Sequence, residues 1–297
     1  MNLKELLVDF GTRCNNDCVF CRRLDNVVLR LKDFHNFESL VENAQRVDVT
    51  GTGEFTLHPD FYSIVDLLTA AGKPFRLVSN GTTMDHELVE YLDKSTLNEL
   101  CISLNSLDRQ TYLKLCGRDH FDKVMRNVVH IAGGENSFEF FVSFVMTTLN
   151  LDELPRIVDF AKQHGVIANC MDLTPTIKDY PEGLLIPDTP ENREKIRVAQ
   201  VYSYDIGAKV GIFRLETRGS GPTDPLGKLI RGCRWPHETM CIQTTGNAVP
   251  CCWCQVPMGN IRVQTAEEIW SGVVYADLRK CIAAGDIKYC KNCRGFG

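Results

Sequence analysis

The chain has 297 residues, of which 44% are hydrophobic and 24% charged, with a formal net charge of -5. This is enough for one large domain, or one domain with a small appendage, and the net acidity argues against a sequence-blind nucleic-acid binder while suiting a cationic substrate. No apolar run approaches the roughly 20 residues that span a bilayer and the N-terminus lacks the regions of a signal peptide, so the fourteen cysteines point to metal ligation in a reducing cytoplasm rather than to disulfides.

In chain order, short apolar runs alternate with amphipathic stretches, the pattern of parallel strands and their crossover helices. Strands are expected near residues 5–10, 46–50, 75–79, 99–104, 139–146 and 168–173, and helices near 37–44, 60–71, 85–92, 121–131 and 152–164. The last helix has the clearest signals: Asp152 and Glu153 in its first turn, and Gly165 as its stop. Beyond residue 174 the pattern loosens into a helix near 191–204, a strand-like 210–215 and Gly219-Ser220-Gly221-Pro222, which is linker composition. Cysteine density then rises. The expected division is therefore residues 1–230 and a cluster-dependent second domain, 231–297.

Cys14, Cys18 and Cys21 stand in Cys-Asn-Asn-Asp-Cys-Val-Phe-Cys, just after the first strand. Four cysteines normally hold an iron-sulfur cube, so three in one tight loop leave an iron open to a small molecule; a zinc loop or buried thiols would also account for them. The spacing C-x3-C-x2-C with an aromatic before the last cysteine resembles the radical S-adenosylmethionine (radical SAM) superfamily. That resemblance implies an α/β fold, a partial (β/α)6 barrel with a small C-terminal iron-sulfur domain, and an active site at the C-terminal ends of the strands. It also implies a [4Fe-4S] cluster on the three cysteines and S-adenosylmethionine as cofactor, cleaved reductively to a 5'-deoxyadenosyl radical with electrons from a reductant such as flavodoxin or ferredoxin.

Other residues acquire expected roles from this resemblance. Thr50-Gly51-Thr52-Gly53-Glu54 resembles the family's Gly-Gly-Glu segment, with Thr52 replacing the first glycine, and would bind the cofactor's ammonium through Thr52, Gly53 and Glu54. Ser79 and Asn80 after strand three, Ser103 and Asn105 at the end of strand four, and Ser143 in strand five match places for groups that meet the carboxylate or the ribose. Each also suits a turn or a backbone cap. Arg118 is a further candidate for a carboxylate partner.

The tail carries Cys233, a Gly246-x4-Cys251 turn and Cys290-x2-Cys293. Four thiolates would saturate a second [4Fe-4S] cluster, and the arrangement resembles the SPASM or twitch appendage of the same superfamily, with Gly259-Asn260-Ile261 and Trp270 following; four-cysteine zinc has similar spacing demands. Cys101, Cys116, Cys170 and Cys281 read as small buried hydrophobes. Cys252 and Cys254 flank Trp253 next to an expected ligand, so either one could supply a hydrogen atom.

The resemblance extends to aminoglycoside-biosynthesis members, so the expectation is an epimerase acting on a carbinol carbon of an aminoglycoside or related amino sugar, with Cys252 ahead of Cys254 as hydrogen donor. The alternative is a dehydrogenase that passes a second electron to the auxiliary cluster. A peptide-modifying enzyme is less favoured, since only thirteen residues precede Cys14, and a non-catalytic redox or binding module must explain an apparently complete cofactor site. Asp172, Asp179 and Glu216 are candidate contacts for a cationic sugar; neither nucleic acid nor membrane is an expected partner.

Overall fold

The structure, a computed structural model, describes residues 1, 3–11, 13–21, 27–173, 180–213, 232–252, 254 and 256–290. The strands are β1 (Leu3–Val8), β2 (Ala44–Val49), β3 (Phe75–Ser79), β4 (Leu97–Ser103), β5 (Glu139–Met146), β6 (Ile167–Asp172), β7 (Val210–Phe213), β8 (Thr239–Ile242), β9 (Asn247–Val249) and β10 (Gly259–Asn260). The helices are α1 (Phe37–Glu42), α2 (Phe61–Ala70), α3 (His86–Asp93), α4 (Arg109–Cys116), α5 (Phe121–Ala132), α6 (Leu154–His164), α7 (Pro190–Asp205), α8 (Trp235–Glu238), α9 (Ala266–Trp270) and α10 (Val273–Ala284). The fold is mixed α/β on a parallel sheet, and each of the six expected strands lies within two residues of its expected bounds.

The chain forms two compact units, and the division between them falls inside β3. The first unit comprises Met1–Arg13, Leu24–Arg76 and Arg218–Gly297. Its strands run β10-β9-β8-β1-β2. β1 is parallel to β2, Leu3 opposite Ala44 through Val8 opposite Val49, and parallel to β8, Glu5 opposite Thr239. The cysteine-rich tail is thus stitched to the first strand of the chain by backbone hydrogen bonds. β8 and β9 form an antiparallel pair with Gly246, at φ 82°, in the turn between them; this left-handed backbone is where glycine avoids a Cβ penalty. Leu3, Leu6, Val47, Ile64 and Leu68 are fully buried.

The second unit comprises Cys14–Arg23 and Leu77–Thr217. Its strands run β4-β5-β6-β7, all parallel. Because strand side chains alternate faces, β5 buries Val142, Phe144 and Met146 on one side and leaves Phe141, Ser143 and Val145 half-exposed on the other. The helices have identifiable ends. Asp85 and Asp108 cap α3 and α4 by accepting from the backbone of Leu88 and Thr111, and α4 and α6 stop at Gly117 and Gly165 in the left-handed region.

The sequence anticipates helix α4 only as a helical pattern at Cys116, without bounds. Its exterior carries Arg109, Gln110 and Lys114 beside an exposed Leu113, and the buried Tyr112, Leu115 and Cys116 are too few in eight residues to give a clear helical period. Its existence rests on the Asp108 cap, the Gly117 stop and what its C-terminus binds.

Candidate active site

Helix α4 carries the three-cysteine loop. The last carbonyls of a helix lack intrahelical partners, and here those of Leu115 and Cys116 accept from the backbone N–H groups of Val19 and Asp17, at 2.9 and 2.8 Å. A Cβ on Gly117 would lie 2.5 Å from the Asp17 carbonyl oxygen, so glycine also permits this docking. The loop closes on itself where the Cys21 N–H donates to the Cys18 carbonyl at 3.0 Å.

On the other side of the loop, three side chains form a closed ring. Asn15 Nδ2 donates to Thr82 Oγ1 at 2.8 Å, Thr82 Oγ1 to Asn80 Oδ1 at 2.7 Å, and Asn80 Nδ2 to Asn15 Oδ1 at 2.8 Å. Asn80 Nδ2 also lies 3.7 Å from Cys14 Sγ, and the Asn16 N–H donates to the same sulfur at 3.4 Å. The expected cofactor residue Asn80 therefore meets the cysteine loop directly. Ser79 is turned inward, where its Oγ accepts from the Gly81 N–H at 3.0 Å.

Cys116 does more than pack. Its thiol shares a hydrogen bond with Cys18, and that bond, with one to Asn105, holds its pKa below the usual thiol range despite burial. Tyr112 beside it is shifted upward by burial, which keeps the phenol protonated. Nothing in the spacing of residues 18 and 116 announces this contact. Asn105 is committed here as well: its Oδ1 accepts from the Val145 N–H at 3.1 Å, and its carbonyl accepts from Asn150 Nδ2 at 2.8 Å.

Ser103 and Ser143 face each other in the register of β4 and β5, and Ser143 in turn faces Asn169 on β6. All three are half-exposed. The result is a polar row across three strands, in which Asn169 is the member that the sequence did not single out.

In the first unit, Gly51-Thr52-Gly53-Glu54 follows β2 and packs against Asp9, Gly11 and Arg13. The Glu54 N–H donates to the Arg13 carbonyl at 2.8 Å. A Cβ on Gly53 would lie 2.2 Å from the Gly11 carbonyl oxygen and 2.8 Å from that of Arg13, so only glycine allows this approach. The Glu54 carboxylate is buried and accepts from Thr56 Oγ1 at 2.6 Å; it orients the turn that follows. Thr52 is held by Asp9, whose Oδ2 accepts from the Thr52 N–H at 3.4 Å and from Thr52 Oγ1 at 3.3 Å, while Oδ1 accepts from the Gly11 N–H at 3.2 Å. Burial raises Asp9 to about 6 against the pull of these donors.

In the tail, Cys233, Cys251 and Cys290 are half-buried; Cys293 lies outside the described residues, as do Asp179 and Glu216. Cys252 is exposed, whereas Cys254 is buried with its Sγ 3.6 Å from the Tyr289 carbonyl oxygen. Cys241 is also buried, and its thiol is pushed far up. Arg279 lies over the Trp270 and Tyr275 rings, 4.4 and 4.7 Å from their centroids, and donates to the carbonyls of Pro236 and Trp270, tying α8, α9 and α10 together.

Among the described residues, no three His, Cys, Asp or Glu side chains converge on a point that one metal ion would occupy. A cube differs, because each of its irons takes a separate ligand. The donor set fits such a group: three thiols on one loop, with N–H donors aimed at a sulfur. No helix among the described residues is long and apolar enough to cross a membrane.

Comparison with known proteins gives these features a context. Residues 8–161 match the family model of the radical SAM superfamily, and residues 233–294 match an iron-sulfur cluster-binding domain, SPASM. The chain is 23% identical to an AdoMet-dependent heme synthase of Methanosarcina barkeri, over 95% of this chain and 88% of that protein. It is 28% identical to a probable GTP 3',8-cyclase of Pyrococcus abyssi, but that match spans only 57% of this chain and 56% of the cyclase. Among solved structures, Streptococcus suis SuiB bound to S-adenosylmethionine superposes with a TM-score of 0.73 at 18% identity, over 97% of this chain and 72% of SuiB. At that identity the likeness is one of fold.

Proposed function

Since the chain belongs to the radical SAM superfamily and carries a SPASM domain, we propose that it is an epimerase that inverts a carbinol carbon of an aminoglycoside or related amino sugar, using the Cys252 thiol as hydrogen donor. It is a radical SAM enzyme whose cofactors are a [4Fe-4S] cluster, S-adenosylmethionine and further iron-sulfur at the SPASM domain, and it requires a reductant. Bound and reduced, these groups supply a carbon radical that removes one hydrogen atom from a substrate C–H bond.

The chain's own residues do the rest. Cys14, Cys18 and Cys21 hold the first cluster, and Thr52, Gly53 and Glu54 receive the cofactor's ammonium. Ser79, Asn80, Ser103, Asn105 and Ser143 serve its carboxylate and ribose, Ser79, Asn80 and Asn105 through the positions of their neighbours. Cys233, Cys251, Cys290 and Cys293 hold the second cluster, so residues 1–230 and 231–297 act as two functional modules. The Cys252 S–H bond breaks as a C–H bond forms on the opposite face of the substrate carbon, and the resulting thiyl takes one electron and one proton to return to the thiol.

The observation carrying this reading is the contrast between the two spare thiols: Cys252 is exposed, while Cys254 is buried against backbone carbonyls. An exposed thiol can meet a substrate. The long match to a heme synthase favours a second reading, in which the same hydrogen abstraction acts on a tetrapyrrole. Anaerobic turnover with candidate aminoglycosides in deuterium oxide separates these. Epimerisation puts one deuterium on one product carbon, and Cys252→Ala still forms 5'-deoxyadenosine but does not invert. A product two hydrogens lighter, or normal inversion by Cys252→Ala, refutes the proposal.

A further inference from the structure

We propose that Asp9 is a positioning residue for S-adenosylmethionine: its carboxylate fixes the Gly51-Thr52-Gly53 backbone and supplies the negative charge that complements the cofactor's ammonium there. This rests on the reading of Thr52, Gly53 and Glu54 as the ammonium site.

The geometry is built for one side chain. Asp9 receives three donors, the N–H of Gly11, the N–H of Thr52 and the Thr52 hydroxyl, at 3.2 to 3.4 Å. A Cβ on Gly51 would fall 2.1 Å from Asp9 Oδ1, so the loop lies directly on the carboxylate. Both partners belong to the first compact unit.

The electrostatics are unusual for a group that only braces a loop. Burial outweighs all three donors and raises Asp9 to about 6, so the anion is disfavoured in the chain alone, and an asparagine would fill the space at lower cost. A cation arriving at the loop reverses that balance, because opposite charge favours the ionised form. An ammonium bound against Thr52 would be such a cation.

Other titratable groups around Asp9 have their own partners. On the adjoining strands Glu5 pairs with Arg46, and Asp48 lies 3.5 Å from Arg76. Cys241 on β8 is held as a thiol by burial. His58, whose ring lies 5.6 Å from that of Phe10, is lowered from the usual histidine range by burial. None of them contributes to the shift of Asp9.

The test is equilibrium binding of S-adenosylmethionine to the cluster-loaded, unreduced enzyme, which reads affinity without turnover. For a controlling group that titrates near 6, affinity should be about fourfold weaker at pH 5.5 than at pH 7.5, since the protonated form binds poorly. Asp9→Asn should bind on the order of tenfold more weakly at pH 7.5, the loss of one charge-assisted contact, and its affinity should not change with pH. Its melting temperature at pH 7.5 should equal or exceed the parent's, which a purely structural brace would not show. Parent-like affinity in Asp9→Asn, or a pH dependence that survives the substitution and so belongs to His58, overturns the proposal. Gly53→Ala separates the two levels of argument. If it weakens binding while Asp9→Asn does not, only the role of Asp9 fails; if neither does, the ammonium site itself is elsewhere.

Discussion

Replacing Gly53 with Ala should damage the fold and, with it, the loop proposed to receive the cofactor's ammonium. The added Cβ would sit 2.2 Å from the Gly11 carbonyl oxygen and 2.8 Å from that of Arg13, the nearer being roughly 1 Å short of any tolerable contact. Both obstacles are backbone, so the strands' ends must move apart. Overpacking of this kind costs about 1–3 kcal/mol. The same movement strains the Glu54 N–H bond to the Arg13 carbonyl, 2.8 Å long, which adds about 0.5–1.5 kcal/mol. A total of about 1.5–4.5 kcal/mol corresponds to a fall in melting temperature of roughly 2–7 °C for a chain of this size. Thermal unfolding followed by circular dichroism, at matched cluster loading, reads this shift. Gly133→Ala is the control, because its Cβ would meet no atom nearer than 3.5 Å and its backbone is right-handed, φ -85°; it should stay within about 0.5 kcal/mol of the parent. If Gly53→Ala melts with the parent, the close packing of this loop against Gly11 and Arg13 is wrong.

Two further outcomes follow from the thiols. Because hydrogen bonds to cluster sulfurs tune the reduction potential, and Cys116 shares one with Cys18, Cys116→Val should move the first cluster to a more negative midpoint in an EPR-monitored titration. Cys116→Ser, which keeps a donor, should stay near the parent; identical midpoints in all three would remove Cys116 from the cluster's surroundings. Cys170 is fully buried and its thiol is pushed up to about 12, so at pH 8 it holds almost no thiolate. Iodoacetamide should therefore modify the exposed Cys252 first and leave Cys170 intact in the folded, cluster-loaded protein, as read by peptide mass spectrometry. Modification of Cys170 at a comparable rate would contradict its burial.

The parallel strands were legible because each is a short apolar run followed by an amphipathic one, and β3 and β5 occupy the bounds expected for them. Helix α4 was legible only as a pattern at Cys116, since eight residues with three buried positions carry no strong period and half its reason for existing is the cysteine loop that its C-terminus receives. The same cause hid Cys116. Alone in sequence it looks like a small packing residue, and only the docking of residue 17 on residue 116 brings its thiol to Cys18. Asp9 was hidden differently: an acid at the end of a strand reads as solvated surface, and its meaning appears only when Gly51 and Thr52 close over it. Asn169 joined Ser103 and Ser143 through strand register, which composition does not encode.

Cys14, Cys18 and Cys21 are proposed to hold a cube with one iron left for S-adenosylmethionine. The most direct measurement is reductive cleavage of S-adenosylmethionine by the reconstituted enzyme under dithionite, compared with a variant in which those three cysteines are alanine while the tail cysteines remain. The parent should yield 5'-deoxyadenosine and methionine, and the variant should keep the second cluster's iron yet yield neither. Fully metallated parent enzyme that leaves the sulfonium intact, or a triple variant that still cleaves it, would contradict the account.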